Sequence, residues 1–148
     1  MLSNTAEYAL RAMVHLAREG DGIAVLGRDL AESSRVPANY LSKILVNLKK
    51  GGFVTAVRGA GGGYRLGKPA GKIYLIEIVE LFDHERAHPR CLLDFDQECS
   101  DHEACTAHER WKSVRAAYVD FLRATSLDEI ARSEESAESP AKKKRGGK

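Results

Sequence analysis

Three cysteines, Cys91, Cys99 and Cys105, fall within a span of fifteen residues, and four of the five histidines, His84, His88, His102 and His108, lie beside them. A thiolate is a soft, charged donor and a nucleophile, so such a group suits either metal ligation or thiol chemistry better than the packing of small side chains. An odd cysteine count argues against a disulfide framework. The start, Met1 to Glu7, has neither a basic leader nor a transit-peptide composition, and the expected location is cytoplasmic. Zinc fits the Cys and His mixture, although no Cys-x-x-Cys pair is present. A thiol enzyme would need one cysteine beside a histidine in a formed pocket. Nothing in the sequence signals such a pocket, and the chain is not expected to be an enzyme.

A second set of residues suits nucleic acid. Leu41, Ile44, Leu45 and Leu48 form one apolar helical stripe, and the opposite face carries Asn39, Tyr40, Ser42, Lys43, Asn47 and Lys50. Amide, hydroxyl and ammonium groups in that arrangement can meet base edges in a major groove. Lys49, Lys50, Arg58, Gly59 and Arg65 are placed to meet phosphate or the narrower groove. The charge distribution agrees. Residues 1–70 carry ten Lys or Arg against five Asp or Glu, whereas residues 71–138 carry eight against sixteen. The basic head can approach a phosphate backbone, and the acidic middle cannot. A winged domain that binds only protein is the rival reading of this face.

These groups need elements to position them. Leu10, Met13, Val14 and Ala17 predict a helix over 4–18, stopped by Gly20 and Gly22. A short helix follows over 26–33, and a third begins with Pro37 in its first turn and ends at Gly51-Gly52. Residues 53–57 and 64–66 predict a hairpin joined by the glycine-rich Arg58 to Gly63. A nucleotide-phosphate loop is excluded there, because no strand-to-helix context and no Lys-Ser or Lys-Thr pair accompany the glycines. Tyr74 to Phe82 predict a fourth helix, 84–105 an irregular stretch, and Trp111, Val114, Tyr118, Phe121 and Leu122 a long helix with a large apolar side. Ser126 and Glu129 form a capping-box pair for a short last helix.

Three helices and a hairpin in this order make a winged helix-turn-helix. The expected fold is therefore mainly α with a small β-hairpin, a winged helix-turn-helix plus a long dimerisation helix. The expected divisions are a winged head at 1–83, a cysteine-rich loop at 84–108, the dimerisation and last helices at 109–131, and a disordered tail at 132–148. The tail's Lys142 to Arg145 run reads as a solvated end with scope for weak DNA affinity. No apolar run approaches the roughly 20 residues of a membrane span.

Tyr8-Ala9-Leu10-Arg11-Ala12, Thr55-Ala56-Val57-Arg58-Gly59, the run Gly62 to Ala70 and the cysteine triplet occur in one order. In these motifs the chain resembles the Rrf2 family of dimeric winged-helix regulators over residues 1–131. The resemblance implies a homodimer on a double-stranded DNA operator, with Trp111 to Leu122 in the dimer contact. It also implies an iron–sulfur cluster, 2Fe-2S or 4Fe-4S, on Cys91, Cys99 and Cys105, sensing redox state, nitric oxide or cluster status. The fourth ligand would be His108, three residues after the last cysteine, or Glu7 donated across the dimer. Members without the triplet imply the alternative, a cluster-free regulator signalling through zinc or thiol oxidation. The chain departs from the family in two places: seven residues separate Cys91 from Cys99, a longer interval than is usual, and Ser42 stands where some members have glutamate.

Overall fold

The computed structural model describes residues 2–88, 91, 102 and 104–135, with side chains as far as Arg132. Cys99, most of the loop around it and residues 136–148 lie outside the described residues, while the first four residues of the expected disordered tail, 132–135, are helical.

The first helix, α1 (Asn4–Glu19), starts where the Ser3 hydroxyl accepts the Ala6 N–H at 3.2 Å, satisfying one of the free donors of the first turn. Ala6, Ala9 and Ala12 are fully buried with Met13 and Leu16. These small side chains let other helices approach the α1 backbone closely, and α1 becomes the centre of the head.

A short second helix, α2 (Gly27–Ser34), ends at Arg35, whose left-handed backbone (φ 54°) turns the chain into Val36 and Pro37. The third helix, α3 (Ala38–Lys50), buries Leu41, Ile44, Leu45 and Leu48. Pro37 lies one residue outside α3, not in its first turn as the sequence suggests. Its extended backbone (ψ 133°) cannot be helical, and its lack of an N–H costs nothing there.

The wing is β1 (Val54–Val57) paired antiparallel with β2 (Gly63–Leu66), Val54 facing Leu66 and Val57 facing Gly63. Phe53 precedes the strand rather than opening it. Val25 adds a rung that the sequence did not reveal. It exchanges backbone hydrogen bonds with Tyr64 at 2.8 and 2.7 Å and ties the start of α2 to the wing. Gly63 is required at this crossing, because a Cβ there would lie 2.2 Å from the Val25 carbonyl oxygen.

Helix α4 (Leu75–Ala87) follows a single 3-10 turn at Ala70–Lys72. The sequence suggests irregular chain from residue 84, but helix resumes after a break at Asp83 (φ −156°, ψ 61°) and runs to Ala87. At the break, the Asp83 carboxylate accepts the Ser3 N–H at 3.0 Å and lies 3.5 Å from Arg86.

The long helix α5 (His108–Ala124) is followed by α6 (Leu127–Glu135). The capping box forms as expected: Glu129 accepts the Ser126 N–H at 2.7 Å, and Ser126 accepts the Glu129 N–H at 3.4 Å. Leu127 donates its N–H to the Ile73 carbonyl at 2.9 Å, and Leu75 donates to Thr125 at 3.0 Å. These bonds direct α6 back onto α1, where Leu127 and Ala131 are buried. The core is thus a shell of α2, α3, α4 and α6 around α1, with α5 packed on α4. Among the described residues, no helix is long and apolar enough to cross a membrane.

Candidate nucleic-acid interface and cysteine loop

Helix α3 buries four apolar side chains and leaves Asn39, Tyr40, Ser42, Lys43, Asn47, Lys49 and Lys50 exposed. At about 100° per residue, positions 39, 43, 46 and 50 fall on one narrow stripe, with 42 and 47 on its two sides. Val46 sits at the centre of this polar face with 52% of its surface exposed. Sequence reasoning passed over it because a valine beside Leu45 and Leu48 resembles core. Its wheel position between Lys43 and Lys50 was the signal. An exposed branched methyl pair there matches the C5-methyl group of thymine.

Three side chains of the expected set already have internal partners. Ser42 donates its hydroxyl to the Ala38 carbonyl at 2.9 Å, leaving its lone pairs outward as acceptors. Tyr40 packs edge-on against Tyr8 of α1, ring centres 6.1 Å apart, and the Arg11 guanidinium covers Tyr8 at 5.7 Å. Arg65 donates its Nε to the Thr55 hydroxyl across the wing at 3.2 Å, which aims its side chain along the strand pair. Arg58 and Gly59 are exposed at the wing turn, where Gly59 has φ +94°.

Cys91 and Cys105 are in no disulfide, Cys91 half-buried shortly beyond the end of α4 and Cys105 exposed just before α5. The two helices thereby hold the two ends of the cysteine loop. Among the described residues, no three Cys, His, Asp or Glu side chains gather in a metal-holding group; Cys99 falls outside that set. His108 opens α5 and is 3% exposed, its N–H donated to the Cys105 carbonyl at 3.0 Å. Glu7 is half-buried in the first turn of α1, ion-paired with Arg11. His84 and His88 have ring centres 5.0 Å apart, and His88 lies 2.6 Å from Glu80.

The α5 stripe divides in two. Leu122 is 2% exposed within the core, whereas Val114 and Phe121 are 56% and 53% exposed on the outer side. Tyr118 lies between these sides, and burial, with the Asp83 carboxylate adding to it, pushes its phenol above the ordinary range.

The family model described as an iron-dependent transcriptional regulator, Rrf2, matches residues 2–133. The HTH-type transcriptional regulator IscR of Xenorhabdus nematophila is 31% identical over 134 residues, covering 90% of this chain and 80% of the relative. The solved structure of CymR, the global cysteine regulator of B. subtilis, superposes with a TM-score of 0.74 at 26% identity, covering 90% of this chain and 97% of that one. The T. potens IscR structure superposes with a TM-score of 0.71 at 23% identity, covering 95% and 93%, a likeness of fold. The helical head, the two-stranded wing and the family match agree: this chain belongs to the Rrf2 family of transcriptional regulators.

Proposed function

We propose that the chain is a homodimeric regulator that binds double-stranded operator DNA through α3 and the wing, under the control of an iron–sulfur cluster on the cysteine loop. The observation that carries the DNA reading is the exposed face of α3, where Asn39, Lys43, Val46, Asn47 and Lys50 share one side of a helix supported from below. In this reading α3 lies in the major groove, its amides and Val46 meet base edges, and Lys43, Lys50, Arg58 and Arg65 meet phosphates. The Tyr8 contact supports the N-terminal end of α3 and fixes how Tyr40 is presented. Exposed Val114 and Phe121 on α5 supply an apolar surface suited to a second copy.

The donor chemistry fits a cluster. Cys91 and Cys105 are in no disulfide and lie within four residues of the ends of α4 and α5, and thiolates are the usual donors to iron–sulfur centres. Cys91, Cys99 and Cys105 would be three ligands. His108 would be the fourth from within the same turn as Cys105, or Glu7 from the other protomer on release from Arg11. When bound, the cluster supplies a centre sensitive to oxidants and gases. The protein's part is mechanical: a change in loop packing reaches α4 and α5, and from α4 it reaches α1 through the Asp83 bond to Ser3.

The test is purification without oxygen, followed by a visible absorption spectrum and iron, sulfide and zinc analysis. Matching iron and sulfide in the parent, both lost when Cys91, Cys99 and Cys105 are replaced by Ala, is the expected result. Iron content and operator regulation unchanged in that variant would overturn the cluster reading. His108→Ala and Glu7→Gln, compared by the same spectrum, identify the fourth ligand. The second reading, zinc or thiol oxidation in place of a cluster, is favoured by the likeness to CymR, one of whose S. aureus structures is an oxidized form at 27% identity. Colourless protein that holds zinc would favour the zinc form of this reading, and no metal even after reconstitution would leave a thiol sensor or a cluster-free regulator.

A further inference from the structure

The outer face of α3 holds one side chain that the packing of the head does not explain. Val46 is 52% exposed. A β-branched residue is a poorer helix former than the lysines near it, so an outward valine adds nothing to the helix itself. Helix α3 packs against α1, α2 and β1, and its four buried side chains lie on the far side from Val46. Tyr40, the other large apolar group exposed on this helix, is packed against Tyr8. Val46 stands instead among amide and ammonium groups, with Lys43 and Lys50 one turn to either side and Asn47 next to it, all exposed.

In the major groove, thymine alone of the four bases presents a methyl group, at C5. The polar members of the face suit other edges: Asn39 and Asn47 can pair with adenine, and the lysines with guanine or phosphate. A valine discriminates by desolvation. Its methyls gain by covering the thymine methyl, but they strip water from the cytosine amine or the guanine carbonyl without returning a hydrogen bond. Val46 follows Asn39 by seven residues, about 10.5 Å along the helix axis. That rise matches about three base-pair steps of about 3.4 Å.

We propose that Val46 is a specificity-determining residue that reads thymine: each half of the operator carries a thymine whose C5 methyl packs against the Val46 side chain, about three base pairs from the position met by Asn39. This contact rests on the DNA reading above and adds to it one letter of the operator.

The test begins with selection of a binding sequence from a random duplex library by the full chain, in oxygen-free and in air-exposed preparations. Each thymine of the selected site is then replaced by uracil, which lacks only the C5 methyl, and affinity is read by fluorescence anisotropy. One thymine in each half-site is expected at which uracil weakens binding of the parent about fourfold. Val46→Ser removes both methyls at a similar helix propensity, so its melting temperature stays near that of the parent while its response to uracil at that thymine disappears. Asn39→Ala keeps the response and changes the base preference about three base pairs away. A selected site without a methyl-sensitive thymine, or the same uracil response in Val46→Ser, would overturn the assignment and leave the DNA reading standing. Loss of the response in Asn39→Ala as well would mark a general loss of docking and also count against it. No enriched sequence in either preparation would overturn the DNA reading, and this contact with it.

Discussion

On the proposed DNA reading, replacing Arg58 by Ala isolates one contact of the wing with DNA. Arg58 is exposed on a turn that already contains glycine at positive φ, so the change leaves the fold within about 0.5 kcal/mol of the parent. Each protomer presents Lys43 and Lys50 on α3, Arg58 on the turn and Arg65 on β2. Two protomers then neutralise about eight phosphates, and counterion release gives a slope of log affinity against log salt of about −7. Removing Arg58 from both protomers takes away about two phosphates and brings the slope to about −5. Between about 50 and 200 mM KCl the parent loses roughly 10⁴-fold in affinity and the variant roughly 10³-fold. Fluorescence anisotropy with a labelled random-sequence duplex, repeated over a salt series, reads the slope without knowledge of the operator. The same slope in parent and variant would show that the wing turn does not meet phosphate.

Other outcomes follow from packing and capping. Leu122→Ala, which opens a cavity at a site 2% exposed, costs about 2–5 kcal/mol in denaturant unfolding; a cost near zero would place α5 outside the core. Tyr118→Phe removes a buried hydroxyl that has no hydrogen-bond partner among the described residues and stabilises the protein by about 1 kcal/mol; a lowered melting temperature would reveal a bond to the cysteine loop, the tail or the other copy. Ser126→Ala removes the cap of α6 and costs about 1 kcal/mol at neutral pH. The backbone N–H and hydroxyl of Ser126 hold the Glu129 carboxyl below its ordinary value. That part of the stability is therefore present above the unfolded carboxylate range and is lost as pH falls through the depressed folded value. The gap between parent and Ser126→Ala should narrow in acid, and a gap constant across that range would contradict the assignment.

The parts of the fold legible in the sequence were those written in local pattern. The apolar spacing of α1 and α3, the glycine link of the wing and the Ser126–Glu129 cap each depend on neighbours within a turn or two, and the structure forms all of them. The parts that escaped depend on distant partners. Val25 pairs with Tyr64, and Asp83 breaks its helix while holding a backbone donor 80 residues away; neither leaves a periodic trace. Pro37 was misplaced by one residue because its type suits both the residue before a helix and its first position. Among the site residues, the polar face of α3 was visible because it is the complement of an apolar stripe. Val46 was hidden, since an apolar side chain on the outer face reads as core until the burial of its neighbours is known.

The return of α6 onto α1 has a consequence for the life of the chain on the ribosome. The recognition helix and wing are made first, but α1, which supports them, keeps an open apolar side until residues 127–131 have been synthesised. Local contacts among the first helices form early; closing the loop from α1 to α6 spans almost the whole described chain. A product released early, before Leu127, would carry the complete α3 and wing on a support with one side uncovered, prone to degradation and not to lasting occupation of DNA. On the proposed DNA reading, packing of the last helix onto α1 would then favour finished chains over truncated ones in occupying DNA.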